Sequence, residues 1–182
     1  MRIEFLLEEK SMQYALESLL PRIIPHLKIN KDYYLHPHNG KSDLLQSIKN
    51  KINEFACNDV KVIILHDQDS NDCKVLKYDI QKLINKPVPT LIRIVCRELE
   101  SWYLGDMDAI EKAYPRFKAR KYKEKSKYRN PDKLNNASEE ISKIVPEFQK
   151  IKGAKEIAPY IDIDNNKSPS FKAFVSGLKK FI

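Results

Sequence analysis

The sequence has few cysteines, and they do not form a metal-binding or disulfide pattern. Cys57, Cys73 and Cys96 are odd in number and include no CxxC pair. Disulfide-stabilised secreted domains and cysteine-rich zinc sites need paired or clustered cysteines. Both classes are therefore unsupported, and we expect the three residues to be small buried side chains.

Long apolar segments are also lacking. No apolar run approaches the roughly 18 to 20 residues that span a bilayer, and the opening MRIEFLLEEK has acids where a secretory signal has its cleavage region. The sequence contains no phosphate-binding loop of the form GxxxxGKS or GxxxxGKT. We expect a cytoplasmic protein with no membrane contact, and any ATP dependence must come from a partner.

What the sequence does contain is typical of one folded unit. Of its 182 residues, 42% are hydrophobic and 32% are charged, which is the composition of a globular chain. The length suffices for one domain with a core. We expect an α/β core over residues 1–115 and a basic, helical extension over residues 116–182 packed on the same domain.

The positive charge is concentrated in that extension. Residues 1–115 carry 16 Lys and Arg against 17 Asp and Glu, whereas residues 116–182 carry 17 against 8. The stretch RFKARKYKEKSKYR, residues 116–129, holds eight positive residues and one negative. Such a stretch attracts polyanions, although it is equally typical of a solvated loop. Its candidate phosphate contacts are Arg120, Lys121 and Lys123.

Apolar runs alternate with amphipathic segments along the first hundred residues. RIEFLL, DYYLH, VIIL and TLIRIVC have the composition of strands, and the continuous VIIL run is typical of a strand buried on both faces. Helical periodicity separates them. It occurs first in MQYALESLL, for which we expect Ser11 as the N-cap and a stop near Pro21 and Pro25, and later in a segment capped by Asn71. The alternation predicts a parallel sheet of about four strands flanked by helices.

Carboxylates follow three of these strands. Because ligands bind at the carboxyl ends of parallel strands, we expect the acids to share one edge of the sheet, where a hard cation such as Mg²⁺ or Mn²⁺ would relieve their repulsion. The simpler alternative is that charged residues end strands because the chain has reached solvent. The predicted metal ligands are Glu8, Asp67, Asp69, Glu98 and Glu100.

These acids and the nearby Trp102 also allow other interpretations. A calcium loop starting at HDQDSND fails, because Asp72 stands where glycine is needed. If the segment that contains Glu98 and Glu100 is extended, both side chains lie on the same face, and one can complete the metal site. Acids at these positions are equally typical of a helix N-terminus. Trp102 fits either a core position or a stacking role.

The segments LLEE, HDQDSNDC and CRELESWYLGD, each following a strand, resemble the Toprim-like family catalogued as domain of unknown function 4276. The resemblance extends through GKSDLL and VPEFQKIKGAKEIAPYID to FKAFVSGLKKFI. It implies a Toprim-like, Rossmann-like fold in which Glu8 and the Asp67, Asp69 pair bind Mg²⁺. It also implies catalysis by Glu8 and Asp67, with Lys155 stabilising charge on the phosphate.

The resemblance implies a nuclease acting on DNA in preference to RNA, with a separate ATPase, in phage defence or DNA repair. Lys10, Lys41 and Arg97 are further candidate phosphate contacts. Family members usually have glycine at the position of Glu9 and often an acid at that of Met12. These departures keep open a non-catalytic, nucleic-acid-binding or regulatory subunit. The oligomeric state does not follow from the sequence.

Overall fold

A computed structural model describes residues 1–55 and 59–182 of the chain, so the prediction for Cys57 lies outside the described residues. The fold is α/β with one all-parallel sheet, as predicted. The strands are β1 (Arg2–Leu7), β2 (Tyr33–Pro37), β3 (Val60–Asp67) and β4 (Thr90–Val95). Their order in the sheet is β2-β1-β3-β4.

Helices cover both faces of the sheet. Their bounds are α1 (Lys10–Ile23), α2 (Lys41–Phe55), α3 (Cys73–Lys82), α4 (Glu100–Leu104), α5 (Met107–Ala113), α6 (Ala137–Ile144), α7 (Lys150–Ile157) and α8 (Pro169–Phe181). Short 3-10 helices lie at Ala119–Lys121, Ser126–Tyr128, Pro131–Lys133 and Ala158–Tyr160. Among the described residues, we find no helix with the length and apolar character to cross a membrane.

Alternation along the strands divides the core into two layers. Leu6 and Ile64 face α2 and α3, whereas Leu7 and Leu65 face α1 and the helices after β4. On that second face α7 packs against α1, and α8 packs against β4. The basic extension, residues 116–182, thus shares a hydrophobic core with the sheet.

The first helix differs from its prediction at the N-terminus, and it ends at Ile23, between Pro21 and Pro25, as predicted. It continues through Pro21 to Ile23, because Ile23 is buried in the core and Arg22 donates hydrogen bonds to two carbonyl groups after α7. Its N-cap is Glu9, while Ser11 lies buried in the first turn and donates to the Glu9 carboxylate. Tertiary contacts therefore override the local stop signal of a proline.

Three other expectations are settled by the structure. Asp72, not Asn71, caps α3, because the Asp72 carboxylate accepts hydrogen bonds from two backbone N–H groups of the first turn. Trp102 is fully buried, stacks on Phe174 with ring centroids 5.1 Å apart, and donates to a serine hydroxyl. Cys73 and Cys96 are half-buried, so the prediction that they are buried was wrong.

Candidate functional site

Three acidic side chains are delivered to the carboxyl edge of the sheet by three neighbouring strands. Glu8 directly follows β1, Asp67 ends β3, and Glu100 begins α4 after β4. Because β1, β3 and β4 are adjacent and parallel, their carboxyl ends lie on the same edge. We call Glu8, Asp67 and Glu100 the acidic edge.

Glu8 is fixed in place by its neighbours on β3. Its Oε2 accepts a hydrogen bond from the backbone N–H of Asp67 at 2.9 Å, and His66 Nδ1 lies 2.9 Å from the same oxygen. Burial raises the pKa of Glu8, but the His66 and Asp67 hydrogen bonds and the charge of Lys41 outweigh it and leave the pKa lowered. Glu8 is therefore a positioned carboxylate.

Asp67 is buried and incompletely hydrogen-bonded. Its Oδ1 has no hydrogen-bond partner. Burial raises the pKa of Asp67 well above its ordinary value, and the charges of Glu8, Glu100 and Glu9 raise it further against an opposing effect of Lys150. A buried carboxyl without a partner is costly to the fold, which is typical of a site built for a ligand.

Glu100 shows the same features more strongly. Its side chain is fully buried, and neither carboxyl oxygen has a hydrogen-bond partner. Burial raises the pKa of Glu100 to about 7, although the charge of Lys150 opposes that shift. Glu100 is consequently protonated over much of the acidic range and ionises close to neutral pH.

Lys150 and Tyr103 also belong to this edge, and sequence reasoning did not identify either. Lys150 begins α7, and the charges of Glu100, Glu9 and Glu98 raise its pKa despite the opposing effect of burial. The Tyr103 hydroxyl is buried without a partner. Tyr103 stands in the CRELESWYLGD segment and Lys150 in VPEFQKIKGAKEIAPYID. The two segments indicated the family, but nothing in them indicated that these side chains reach the acidic edge.

Asp69 and Glu98 are placed differently from the acidic edge. Asp69 is exposed, has a left-handed backbone with φ of 52°, and donates its N–H to the carbonyl of Arg97. Glu98 accepts a hydrogen bond from the N–H of Ser138, at the start of α6. Of the five predicted metal ligands, the structure thus groups Glu8, Asp67 and Glu100.

The predicted phosphate contacts are scattered around this edge. Lys10 and Lys41 begin α1 and α2, and Lys41 is close enough to lower the pKa of Glu8. Arg97 donates to the Asp69 carbonyl. Lys155 lies over the Tyr14 ring at 3.9 Å, on a different part of α7 from Lys150.

The basic stretch, residues 116–129, is partly neutralised by acids of α5 and α6. Lys118 pairs with Glu111 at 3.3 Å, Lys123 with Asp108 at 3.3 Å, and Lys127 with Glu140 at 2.6 Å. Arg120 and Lys121 are also exposed, but within the described residues they form no ion pair. These two residues are the better candidates for contact with a polyanion.

The two departures from the family pattern cause no visible distortion. Glu9 has φ of −146°, an extended conformation that any residue adopts, so glycine is not required there. Met12 is fully buried and packs in the core. The backbone that positions Glu8 is therefore unstrained at both positions.

Donor chemistry at the acidic edge fits a hard divalent cation. Carboxylate oxygens suit Mg²⁺ and Mn²⁺, and the unpartnered Asp67 and Glu100 oxygens are free to bind one. Across residues 1–55 and 59–182, however, no group of three or more His, Cys, Asp and Glu side chains is arranged to hold a metal. A cation would have to draw the carboxylates into a new arrangement.

Comparison with known proteins gives a family. The model of the family described as domain of unknown function (DUF4276) matches residues 7–179. No curated protein and no solved structure matches the chain significantly. The match spans nearly the whole chain and includes every residue of the acidic edge, so the chain belongs to the DUF4276 family.

Proposed function

We propose that this protein is a Toprim-like, metal-dependent phosphodiester hydrolase acting on nucleic acid, DNA in preference to RNA. The observation that carries the proposal is the acidic edge, where Asp67 Oδ1 and both carboxyl oxygens of Glu100 are buried and yet lack hydrogen-bond partners. A fold does not keep such carboxyl groups buried without compensation. A bound cation supplies that compensation.

The proposed ligands are Glu8, Asp67 and Glu100, with Mg²⁺ or Mn²⁺ as the cation. When bound, the ion would supply Lewis-acid stabilisation of charge on a phosphate oxygen. The chain contributes the rest: His66 and the Asp67 N–H hold Glu8 in position, and Lys150 adds positive charge beside the carboxylates. Lys150 therefore takes the phosphate-stabilising role that the resemblance implies for Lys155.

Two parts of the proposal rest on the resemblance to Toprim proteins. A separate ATPase subunit would provide any ATP dependence, and the biological setting would be phage defence or DNA repair in the cytoplasm. Arg120 and Lys121 would hold the nucleic-acid backbone, since their charges are exposed.

Cleavage of supercoiled plasmid in Mn²⁺ tests the proposal. We expect nicking by the wild-type protein and a loss of about 100-fold or more in Asp67→Asn, because removing a ligand costs several kcal/mol of charge stabilisation. Asp79→Asn is the matched control, since Asp79 is an exposed residue of α3. Cleavage that persists in folded Asp67→Asn would refute the assignment.

A second candidate function is a non-catalytic, nucleic-acid-binding or regulatory subunit. It is favoured by Asp69, which is exposed, has a left-handed backbone and is not among the residues of the acidic edge. Binding of Mn²⁺ distinguishes the two. A catalytic site must bind the ion, whereas a subunit with a degenerate site would bind DNA with equal affinity in Mn²⁺ and in EDTA.

A further inference from the structure

Two thiols from separate elements meet beside the loop that follows β3. Cys73 is the first residue of α3 and Cys96 directly follows β4, and their Sγ atoms lie 3.9 Å apart. Both side chains are half-buried. A surface cavity of about 370 Å³ is lined by both cysteines, so a small oxidant reaches them from solvent.

We propose that Cys73 and Cys96 form a reversible disulfide when the protein meets a peroxide, and that this bond clamps the loop of residues 68–72. The bond needs the sulfur atoms to move from 3.9 Å to about 2.05 Å. Two half-buried residues at element ends can make that movement by side-chain rotation and small backbone shifts. Reversible disulfides of this kind serve as redox sensors in reducing compartments.

The chemistry balances with hydrogen peroxide as the oxidant. Burial raises the pKa of the Cys96 thiol to about 12, so Cys73 reacts first. The Cys73 sulfur attacks a peroxide oxygen, the O–O bond breaks, and the departing hydroxide takes up the Cys73 thiol proton as water. The Cys96 sulfur then attacks the resulting sulfenic sulfur, an S–S bond forms, the S–O bond breaks, and the departing hydroxide takes up the Cys96 thiol proton as a second water. Two thiols are oxidised, and one peroxide is reduced to two water molecules.

The hydrogen bonds of the loop explain why the disulfide would clamp it. Gln68 accepts a hydrogen bond from the Arg97 N–H, and Asp69 donates to the Arg97 carbonyl. Asp69 and Arg97 are both left-handed, with φ of 52° and 62°. A covalent bond between Cys73 and Cys96 would hold the two ends of this hydrogen-bonded unit together. Control of the acidic edge by the clamp rests on the proposed function, whereas the disulfide itself does not.

Peptide mapping tests the bond in a Cys57→Ser background, which removes the third thiol. After treatment with hydrogen peroxide and tryptic digestion, we expect residues 62–74 and 94–97 to appear as one cross-linked species that dithiothreitol separates. Cys73→Ser and Cys96→Ser should each abolish it. Free thiols after oxidation, irreversible sulfinic acid at either cysteine, or a disulfide between two copies of the chain would overturn the proposal.

Hydrogen exchange tests the clamp independently of any activity. Amides of residues 68–72 should exchange about tenfold more slowly in the oxidised than in the reduced protein, while amides of α8 stay unchanged. Equal exchange in the two forms would overturn the clamp even if the disulfide forms. Mn²⁺-dependent cleavage, compared in both forms, then reports on regulation, and its absence in both forms would count against the proposed function alone.

Discussion

The acidic edge and the basic stretch carry opposite charges and are built in opposite ways. The acids come from distant parts of the chain, and Asp67 and Glu100 are buried with oxygens that lack partners. The basic residues come from one short segment of the chain, and Lys118, Lys123 and Lys127 already pair with acids. Buried charge without a partner is costly, whereas exposed paired charge is nearly neutral for stability.

This difference in burial and pairing indicates that the acidic edge serves a function, whereas most of the basic stretch serves the stability of the fold. At the acidic edge the fold loses stability in order to hold carboxyl groups together, which is typical of a site awaiting a ligand. Around the basic stretch the charges are largely satisfied, and Glu140 binds Lys127 and Tyr128 in a packed network. Much of the basic character therefore supports the fold, and only part of it is available to a polyanion.

Stability against pH provides the largest expected effect. The pKa of Glu100 is about 7 in the folded protein against 4.5 as its ordinary value, so between these pH values the unfolded chain binds fewer protons. The free energy of unfolding should therefore fall as pH rises from about 4.5 to 7, by about 3 kcal/mol for this group. Glu100→Gln should remove that fall, as measured by urea unfolding in EDTA.

An exposed acid supplies the control for that measurement. Asp79 is exposed on α3, so Asp79→Asn should keep the wild-type pH dependence. Glu98 is unsuitable as a control, because its charge contributes to the raised pKa of Glu100. If Glu100→Gln and the wild type show parallel pH dependences, the acidic edge is not strained in the way we describe.

Removing the partner acid of the basic stretch should have the next largest effect. Glu140→Ala leaves the buried Tyr128 hydroxyl without its acceptor, and we expect a loss of about 2 kcal/mol in the free energy of unfolding. Glu139→Ala, an exposed neighbour with a 3.8 Å ion pair, should cost under about 0.5 kcal/mol. Equal losses would show that the paired charges around the basic stretch do not stabilise the fold.

Nucleic-acid binding should show the smallest effect and should separate free from paired cations. We expect the double variant Arg120→Ala, Lys121→Ala to bind about tenfold more weakly. The slope of log K against log salt concentration should become less steep by about two, since each phosphate contact contributes roughly one to that slope. The same exchange at Lys118 and Lys123, which pair with acids, should weaken it less than about threefold. Fluorescence anisotropy at several salt concentrations measures both. If the two double variants weaken binding equally, the ion pairs do not decide which cations contact the nucleic acid.

Much of the fold follows from the sequence, because it depends on local composition. The RIEFLL and VIIL runs predicted β1 and β3, and the acids after them predicted which edge of the sheet carries charge. Both predictions rest on the same rule, that an apolar run buried on both faces ends where the chain becomes polar. The structure confirms the α/β class and the parallel sheet that this rule predicted.

The side chains that meet at the edge could not be predicted in the same way. Glu98 and Glu100 are two residues apart and were expected to share a face, but α4 begins at Glu100, so one turns toward α6 and the other toward the interior. Lys150 and Lys155 lie on one helix and point to different surroundings. Helix start points and packing between distant segments decide these directions, and local pattern does not encode them.

Calorimetric titration with Mn²⁺ at pH 7 tests the central claim, that the acidic edge binds a divalent cation, most directly. Because burial keeps the pKa of Asp67 high, binding should release protons, seen as a heat that varies with the buffer. We predict binding with proton release for the wild type and for Asp79→Asn, and loss of both in Asp67→Asn. Binding to Asp67→Asn with wild-type affinity, or no binding to the wild type, would contradict the account.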